Sequence, residues 1–372
     1  MPLRPRNPMR RQLTVLGLES SCDDTAAAVV DHCPGEAAHI RSSVVLGQHS
    51  LHVAHGGVVP ELAARAHATR LDRATEKAMG KAGVSFPEID AIAVTAGPGL
   101  IGGLMAGIAF AQGVALGAGK PLHGINHLAG HALTARLTHP IGFPYPVLIA
   151  SGGHCQFLAV LGPDRFLRLG GTIDDAPGEA FDKSARLLGL VQPGGPAVEK
   201  AAKSGDAERI RLPRPLSGKQ GCNLSFSGLK TSVGRACEGL RRNGKLASGD
   251  IADICAGFQQ AVSDILAEKT GIALEMFTER FGSAREFAVC GGVAANSEIR
   301  SALSAVCSDR SVRFIAPDPA LCTDNGAMIA WAGIELMRIG VEGDHSIRAR
   351  PRWPLDDTSE PILGHGKRGP KS

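Results

Sequence analysis

The chain has 372 residues, which is long enough for two lobes that each bury a sizeable core. Its 47 glycines are nearly twice the usual share, whereas one Tyr and two Trp argue against RNA modules that stack bases on aromatic rings. The formal charge of +4 permits a nucleic-acid partner without requiring one. Nine cysteines without a Cys-x-x-Cys pair argue against a disulfide framework or a thiolate zinc site, and they favour a reducing compartment.

Both ends of the chain are polar. Residues 1–12 contain four arginines and no apolar core, so we interpret them as a basic N-terminal extension and not as a secretory signal. We therefore expect a cytoplasmic protein. The alternative is that these residues are a short mitochondrial presequence, which would place the protein in the mitochondrial matrix. Residues 341–372 are polar and Pro-rich, which predicts a loosely ordered tail.

A predicted hairpin with a polar turn follows the N-terminal extension. Residues 14–18 and 26–31 predict two apolar strands, and the polar residues between them predict the turn. This first turn, residues 20–25, offers hydroxyls, amides and the carboxylates of Asp23 and Asp24, which suit a phosphate or a metal-bound water. A plain polar turn is the alternative, because Ser, Thr and Asp are common in turns.

An alternation of strands and helices follows, with strands over residues 40–48, 91–95 and 121–125 and helices over residues 62–79 and 100–116. Residues 91–119 carry no charge and are long enough for a membrane span. Gly97-Pro98-Gly99 interrupts them, so we favour a buried strand and helix, and no membrane partner. On that helix Gly103 and Gly107 form a small-residue face where another element can pack closely.

Two histidines, His127 and His131, lie four residues apart. Residues 126–137 predict a helix capped by Asn126, and four residues make about one turn, so both imidazoles point the same way. Such a pair is the start of a metal site, which needs a third ligand; ordinary polar histidines are the alternative. A zincin protease is disfavoured, because Leu128 stands where that motif needs a Glu as general base.

The pattern of strand, polar turn and strand recurs in the middle of the chain. Residues 147–150 and 156–161 predict strands, and the second turn, residues 151–154, reads Ser-Gly-Gly-His. This duplication resembles the superfamily of actin, hexokinase and heat-shock ATPases, and the resemblance implies two similar α/β lobes with a nucleotide held between the two turns. We expect position 153 to require glycine, because a Cβ there would enter the phosphate path or strain a turn with positive φ.

The rest of the chain completes this pattern. Residues 291–296 predict a Gly-rich turn between a strand and a helix, where the backbone can approach a nucleotide closely. Residues 204–221 predict a polar loop, and residues 223–230 a half-buried strand that turns into a helix. The remaining predicted helices cover residues 176–188, 197–203, 251–277 and 327–337, and the remaining strands cover residues 286–290 and 312–316.

With these motifs assembled, the chain closely resembles the tRNA threonylcarbamoyladenosine transferases, a family formerly called O-sialoglycoprotein endopeptidases. The resemblance implies an actin-like α/β fold, in which two duplicated lobes enclose a nucleotide and metal cleft. We place the first lobe at residues 13–122 plus 321–340 and the second at residues 123–320. Ten motifs carry the resemblance, in the family's order: LESSCDDT, HGGVVPELAARAH, TAGPGLIGGLMAG, NHLAGH, SGGHCQ, DDAPGEAFDK, PGGP, NLSFSGLK, GGVAANSEIR and CTDNGAM.

The resemblance also implies roles for individual residues. His127, His131 and Asp324 would bind one divalent metal, for which the resemblance favours iron and leaves zinc as the alternative. Asp23 and Asp24 would be catalytic, with Asp23 positioning the acceptor amine or accepting its proton. The substrate-binding residues would be Ile149, Ala150, Ser151, Gly152, Gly153, Asp182, Gly195, Glu199 and Asn296.

Two of these positions depart from the pattern of the family. Asp24 stands where the family often has Glu, and Glu199 stands where many members have Asp. Each exchange changes the reach of a carboxylate by one methylene. The roles of these two residues are therefore the least firmly implied.

The implied reaction moves a threonylcarbamoyl group from threonylcarbamoyl-AMP to the exocyclic amine of the tRNA adenosine at position 37, beside the anticodon, and releases AMP. The implied partners are tRNA, a metal-less paralogous subunit and a small ATPase. A small-molecule kinase or ATPase with an actin-like fold is an alternative, but it does not need a His-His-Asp site. A metal-dependent endopeptidase is weakened by Leu128, and a pure binding role by the full ligand set.

Overall fold

The computed structural model describes residues 11–55 and 57–359, and they form two five-stranded sheets. The strands of the first sheet are β1 (Leu13–Glu19), β2 (Asp24–His32), β3 (His39–Gly47), β4 (Ala91–Gly97) and β5 (Leu122–Asn126), in the order β3-β2-β1-β4-β5. In this sheet β2 is antiparallel to β1 and β3, whereas β4 is parallel to β1 and β5.

The second sheet repeats this arrangement. Its order is β8-β7-β6-β9-β10, with β6 (Tyr145–Ala150), β7 (Cys155–Gly162), β8 (Arg165–Gly171), β9 (Glu286–Cys290) and β10 (Arg313–Ile315). β6, β7 and β8 are antiparallel neighbours, and β9 is parallel to both β6 and β10. Order and directions match the first sheet strand for strand, so the predicted α/β class with a duplicated lobe is confirmed.

Eleven helices connect and cover the two sheets in the described part of the chain, besides short 3-10 turns. The first three in chain order are α1 (His49–His52), α2 (Pro60–Ala82) and α3 (Ile101–Ala118). The others are α4 (His127–Thr138), α5 (Pro177–Leu187), α6 (Gly194–Ala202), α7 (Ser227–Leu240), α8 (Ser248–Phe281), α9 (Ser297–Asp309), α10 (Pro319–Cys322) and α11 (Gly326–Arg338).

Helices α4 and α11 lie side by side between the two sheets, in one shared apolar core. That core contains Val15 of the first sheet and Val147 of the second. α11 lies directly on β1, because Gly17 and Gly326 lack side chains: a Cβ on Gly17 would be 2.2 Å from the Gly326 carbonyl oxygen. The start of α11 is therefore held beside β1 and close to α4.

Helix α3 packs on the first turn through the small-residue face that the sequence predicts. A Cβ on Gly103 would lie 2.3 Å from the Ser20 carbonyl oxygen, and a Cβ on Gly107 2.1 Å from Ser20 Oγ. α3 is the one helix among the described residues that is long and apolar enough to cross a membrane. That is weak evidence by length and composition only, because core helices of soluble proteins pass the same test.

Two assignments in the sheets differ from the sequence analysis. β8 is missing there, because strands disfavour its two glycines and because Arg165 and Arg168 interrupt its apolar residues; its pairing with β7 makes it a strand. β5 pairs with β4 as far as Asn126, so the first sheet extends beyond residue 122, where the analysis ends that lobe.

The prediction of a loosely ordered tail is wrong for residues 341–359, which run along both sheets. Arg350 N donates to the Ala96 carbonyl oxygen (2.7 Å), and Asn126 Nδ2 donates to the Trp353 carbonyl oxygen (3.0 Å). Further along, the buried carboxylate of Asp356 accepts a hydrogen bond from Arg168 N of β8 (2.8 Å). Backbone pairing orders this segment despite its polar composition. The rest of the predicted tail, from residue 360, and residues 1–10 of the N-terminal extension lie outside the described residues.

Candidate metal and substrate site

His127, His131 and Asp324 come together where α4 and α11 begin. The Nε2 atoms of His127 and His131 lie 3.5 and 3.1 Å from Asp324 Oδ1. One ligand atom from each of the three residues lies within 4.8 Å of the others, as a shared metal ion requires. Two imidazoles and one carboxylate are a donor set that suits zinc or ferrous iron.

Two asparagine caps hold these ligands in place. Asn126 Oδ1 accepts hydrogen bonds from the backbone N–H groups of Leu128 (2.9 Å) and Ala129 (3.4 Å), so the predicted cap of α4 is confirmed. Asn325 Oδ1 accepts from Met328 N (2.9 Å) and caps α11 in the same way. Asp324 therefore stands one residue before a capped helix, and its position is fixed by that cap.

Glu19 is a functional residue that the sequence analysis does not single out. It is fully buried at the end of β1, and its Oε2 accepts hydrogen bonds from His127 Nδ1 (3.0 Å) and Thr95 Oγ1 (2.6 Å). Its Oε1 accepts from Ser21 N (2.5 Å). Glu19 thereby fixes His127 with Nδ1 protonated and Nε2 turned toward Asp324. Its sequence signals are an acid at the end of an apolar strand and its place in the motif LESSCDDT.

Without a metal, the charged side chains of His127, Asp324 and Glu19 shift one another's pKa values. Burial would lower the pKa of His127, but Asp324 and Glu19 outweigh it and raise that pKa to about 9. Burial would raise the pKa of Asp324, but His127 and His131 hold it well below its ordinary value. For Glu19, burial opposes and His127 favours the charged form, and the net direction is a lowered pKa. The carboxylates are thus charged and the imidazole of His127 is protonated.

A buried histidine outside the His-His-Asp cluster, His67, shapes the first turn. His67 of α2 is fully buried, and its Nε2 donates to the Cys22 carbonyl oxygen (3.1 Å). Its Nδ1 accepts from Thr25 Oγ1 (2.9 Å). Burial lowers the pKa of His67, which keeps the ring neutral, as this pair of bonds requires. His67 therefore fixes the backbone that presents Asp23 and Asp24, a role that the sequence analysis does not assign.

Asp24 has the most perturbed carboxyl group of the first turn. Burial raises its pKa to about 7, with added contributions from the charges of Asp23, Asp324 and Glu19. A carboxyl group with a pKa near neutrality can take up and release a proton at physiological pH. Of the two acids that the sequence analysis selects, Asp24 is the one with the electrostatics of a proton acceptor.

A cavity of about 280 Å³ lies between the second turn, α5, α6 and the Gly-rich turn at residues 291–296. Thr323 lines it, so the cavity adjoins the metal ligand Asp324. Five of the nine predicted substrate-binding residues line it as well: Gly152, Asp182, Gly195, Glu199 and Asn296. Its volume suits a small ligand.

The other four predicted substrate-binding residues lie outside the lining of the cavity. Ile149 and Ala150 are 1% exposed within β6, so their side chains belong to the core and only their backbone can serve a ligand. Ser151 N donates to the His154 carbonyl oxygen (2.8 Å), which closes the second turn. Gly153 is exposed; a Cβ there would meet no atom within 4 Å, and its φ is not positive, so the expected backbone strain is wrong.

Three polar residues of the cavity wall already have structural partners. Asp182 Oδ1 accepts from Gly194 N (2.7 Å), Glu199 Oε1 accepts from Ser297 N (2.9 Å), and Asn296 Oδ1 caps α9 through Ile299 N (3.1 Å). These bonds hold α6 and α9 against the cavity. A ligand can use only those lone pairs and protons of the three side chains that do not take part in these hydrogen bonds.

A charged residue of each turn interacts electrostatically with the cavity or with the His-His-Asp cluster. The charge of Asp23 in the first turn raises the pKa of Asp182 in the cavity, after the larger effect of burial. The charge of His154 in the second turn contributes to the lowered pKa of Asp324. Gly178 of α5 packs against the second turn, since a Cβ there would lie 2.7 Å from Gly152 Cα. The first turn is therefore close enough to the cavity, and the second turn close enough to Asp324, for their charges to interact.

Known proteins with similar sequences share one description. The family model TsaD, tRNA N6-adenosine threonylcarbamoyltransferase, matches residues 39–331. A protein of that name from Ruegeria pomeroyi is 59% identical over 365 residues, covering 98% of this chain and 100% of that relative. Another from Jannaschia sp. is 60% identical over 361 residues, covering 97% and 98%.

Solved structures show a similar fold at low sequence identity. T. kodakarensis HypF matches with a TM-score of 0.57 and 15% identity, over 91% of this chain and 49% of that chain. Full-length HypF in a phosphate- and nucleotide-bound form matches with a TM-score of 0.54 and 12% identity, over 88% and 56%. These likenesses bear on the fold alone, and the predicted actin-like architecture is confirmed.

Proposed function

The chain belongs to the tRNA N6-adenosine threonylcarbamoyltransferase family, and we infer that it is an acyltransferase that moves a threonylcarbamoyl group onto the N6 amine of a tRNA adenosine. The donor that we propose is threonylcarbamoyl-AMP, and the acceptor is the adenosine at position 37, beside the anticodon. This proposal rests on one observation, which is that a single loop borders both the cavity and the His-His-Asp cluster. Thr323 lines the cavity, and the next residue, Asp324, belongs to the cluster.

One divalent metal would be held by His127, His131 and Asp324. The chemistry of the donor set fits, because imidazole and carboxylate ligands suit iron and zinc, and Glu19 supplies the outer carboxylate that ligating histidines commonly have. We propose iron, with zinc as the alternative. When bound, the ion supplies a Lewis acid and a template beside the donor.

The donor would lie along the cavity. We propose that its adenosine end occupies the space near Asn296, with Asp182 and Gly195 toward the ribose and Glu199 at the rim. The backbone N–H groups of the exposed second turn would hold the phosphate and acyl groups, since glycine there leaves the amides accessible. The acyl carbon would then face the first turn and the metal ligands.

The first turn would position the acceptor amine and take its proton. The adenosine N6 atom forms a bond to the carbamoyl carbon, the bond from that carbon to the phosphate oxygen breaks, and AMP leaves with the electron pair. The N6 proton passes to the carboxylate of Asp24, whose raised pKa suits this task. Asp23 would orient the amine, and orientation should supply much of the rate because an aromatic amine is a weak nucleophile.

The partners that we propose besides tRNA are a metal-less paralogous subunit and a small ATPase. Helix α3 offers a surface for another subunit, because it lacks charged residues and presents Ile101, Met105 and Leu116 at 50%, 59% and 66% exposure. Solvent-facing apolar side chains on one helix are typical of a protein interface. The proposed location is the cytoplasm, where tRNA is modified.

A reconstitution experiment tests the proposed function. The protein is incubated with partner extract, threonine, bicarbonate, ATP and unmodified tRNA, and the nucleosides are analysed by mass spectrometry. We expect N6-threonylcarbamoyladenosine in the wild type and its loss in a His131→Ala, Asp324→Ala double variant. Modified nucleoside at the wild-type rate in the double variant would contradict the proposal, and so would its absence from every reaction.

A further inference from the structure

A strongly basic segment lies on the second lobe, outside the cavity. Residues 230–245 run from α7 into a short hairpin, which is closed by backbone hydrogen bonds between Arg242 and Lys245. The segment contains one acidic residue, Glu238, and five basic ones: Lys230, Arg235, Arg241, Arg242 and Lys245. Its net charge therefore equals the +4 of the whole chain.

These five cations have no partners among the described residues. None of them takes part in an ion pair or a side-chain hydrogen bond there, whereas Arg209, Arg214 and Arg313 of the same lobe each pair with a carboxylate. Four of the five are exposed, and Lys230 is half-buried. Unpaired, exposed cations keep their charge available for the phosphates of a nucleic acid.

The start of α7, just before the basic segment, is held close to the cavity by the loop that precedes α5. The carboxylate of Asp174 accepts hydrogen bonds from Phe226 N (2.8 Å) and Ser227 Oγ (2.7 Å) at the start of α7. Asp174 precedes α5, whose Gly178 packs against the second turn. α7 also packs along α5, so the basic segment begins beside the cavity and extends away from it.

We propose that residues 230–245 form the docking surface for the sugar-phosphate backbone of the tRNA whose adenosine enters the cavity. The identity of this RNA rests on the proposed function. At 1.5 Å per residue the helical part of this segment, residues 230–240, spans roughly 16 Å, a length that covers a few phosphates of one strand. Recognition through the backbone also fits a chain with few aromatic residues, which cannot rely on base stacking.

The test is a titration of the protein with fluorescently labelled unmodified tRNA at several salt concentrations. The neutralised variant carries Arg235→Gln, Arg241→Gln, Arg242→Gln and Lys245→Gln. We expect its tRNA affinity to fall about tenfold or more near physiological salt, and the slope of log K against log salt to become shallower by about three. A variant with Arg235→Lys, Arg241→Lys and Arg242→Lys should bind nearly as the wild type does, because a point charge suffices for a phosphate.

A matched control removes four other cations that are exposed and have no ion pair among the described residues: Lys77→Gln, Lys81→Gln, Arg280→Gln and Arg285→Gln. It changes the net charge equally, so its tRNA affinity separates a specific surface from general electrostatic attraction. Equal losses in the control and the neutralised variant, at equal thermal stability, would overturn the proposal. A wild type that binds tRNA through this surface but forms no modified nucleoside would support the surface and refute the proposed function.

Discussion

Glu19 and His127 form a buried pair in which the carboxylate fixes one nitrogen of the imidazole ring. Glu19 Oε2 also accepts from Thr95 Oγ1, so the carboxylate cannot rotate away without losing two bonds. Outer carboxylates of this kind orient the ring and raise its basicity toward a metal. We therefore expect the affinity for a metal to depend on Glu19, although Glu19 is not one of the three proposed ligands.

Replacing Glu19 by Gln is expected to lower the affinity for a divalent metal by about 10–100-fold, because a neutral amide orients and polarises His127 less well. The affinity is measured by competition with a chelator. Glu335→Gln is the control: this buried carboxylate pairs with Arg136 in the last turn of α4, away from the histidines, so its loss should lower thermal stability and spare metal affinity. Equal metal affinity in Glu19→Gln and wild type would refute the positioning role.

Metal binding is expected to release about one proton from His127 near pH 7.5, because its pKa is about 9 without metal and a ligand nitrogen must be unprotonated. A raised folded-state pKa also means that charged His127 stabilises the metal-free protein fully below its unfolded pKa. This stabilisation is lost as the pH rises toward 9. Calorimetry in buffers of different ionisation enthalpy measures the released protons. Release that does not diminish between pH 7.5 and pH 10 would contradict this assignment.

Asp24→Asn is expected to lower the single-turnover transfer rate by about 10²–10⁴-fold without reducing metal content. In the wild type the rate should rise with pH through the pKa of Asp24, because the carboxylate must be unprotonated to accept the N6 proton. A bound divalent ion offsets the charge of Asp324, so this pKa should fall below the value of about 7 in the metal-free protein. The variant should lack this rise, and a rise that persists would assign the proton transfer to another group.

At the scale of helices and strands, glycine is required where the backbones of two elements pack too closely for a Cβ atom. Gly178 is such a position, because a Cβ would lie 2.7 Å from Gly152 Cα and from the Ser151 carbonyl oxygen. At Gly153 and Gly195, by contrast, a Cβ would meet nothing within 4 Å. The close packing around the second turn therefore requires glycine at position 178 of α5 and not within the turn itself. The sequence alone does not reveal this requirement.

Gly178→Ala is expected to displace the second turn and weaken binding of a donor analogue by about tenfold or more, which corresponds to about 1.4 kcal/mol. Metal content should stay unchanged, since the metal ligands lie on other elements. Gly153→Ala is the matched control, and it should keep the fold of the turn. Donor titration of both variants measures the difference. A Gly178→Ala variant that binds the analogue like the wild type would show that the turn tolerates the displacement.

Most elements could be predicted from the sequence because their local signals agree with their final environment. The apolar strands and the Asn126 cap are examples, since burial pattern and capping chemistry are both local. β8 and residues 341–359 could not be predicted, because pairing with distant segments decides their conformation. Glu19 and His67 stayed unassigned for the same reason: their partners are far away in the sequence.

At the scale of the whole molecule, the duplication explains why the site lies where it does. The two sheets share their strand order, and α4 and α11 pack between them, so ligands separated by almost 200 residues meet at adjacent helix starts. Gly152 of the second turn lines the cavity, and Ser21 of the first turn contacts His127. The lobes are further connected by residues 341–359, through bonds of Trp353 to the first lobe and of Asp356 to the second.

The central claim is that acyl transfer to tRNA takes place in this cleft, and a single turnover tests it most directly. Metal-loaded protein is mixed with unmodified tRNA and threonylcarbamoyl-AMP that carries ¹³C at the carbamoyl carbon, and both products are quantified by mass spectrometry. The account predicts one AMP for each labelled N6-threonylcarbamoyladenosine, with both lost in Asp324→Ala. Release of AMP without labelled nucleoside, or formation of both products at the wild-type rate in Asp324→Ala, would contradict it.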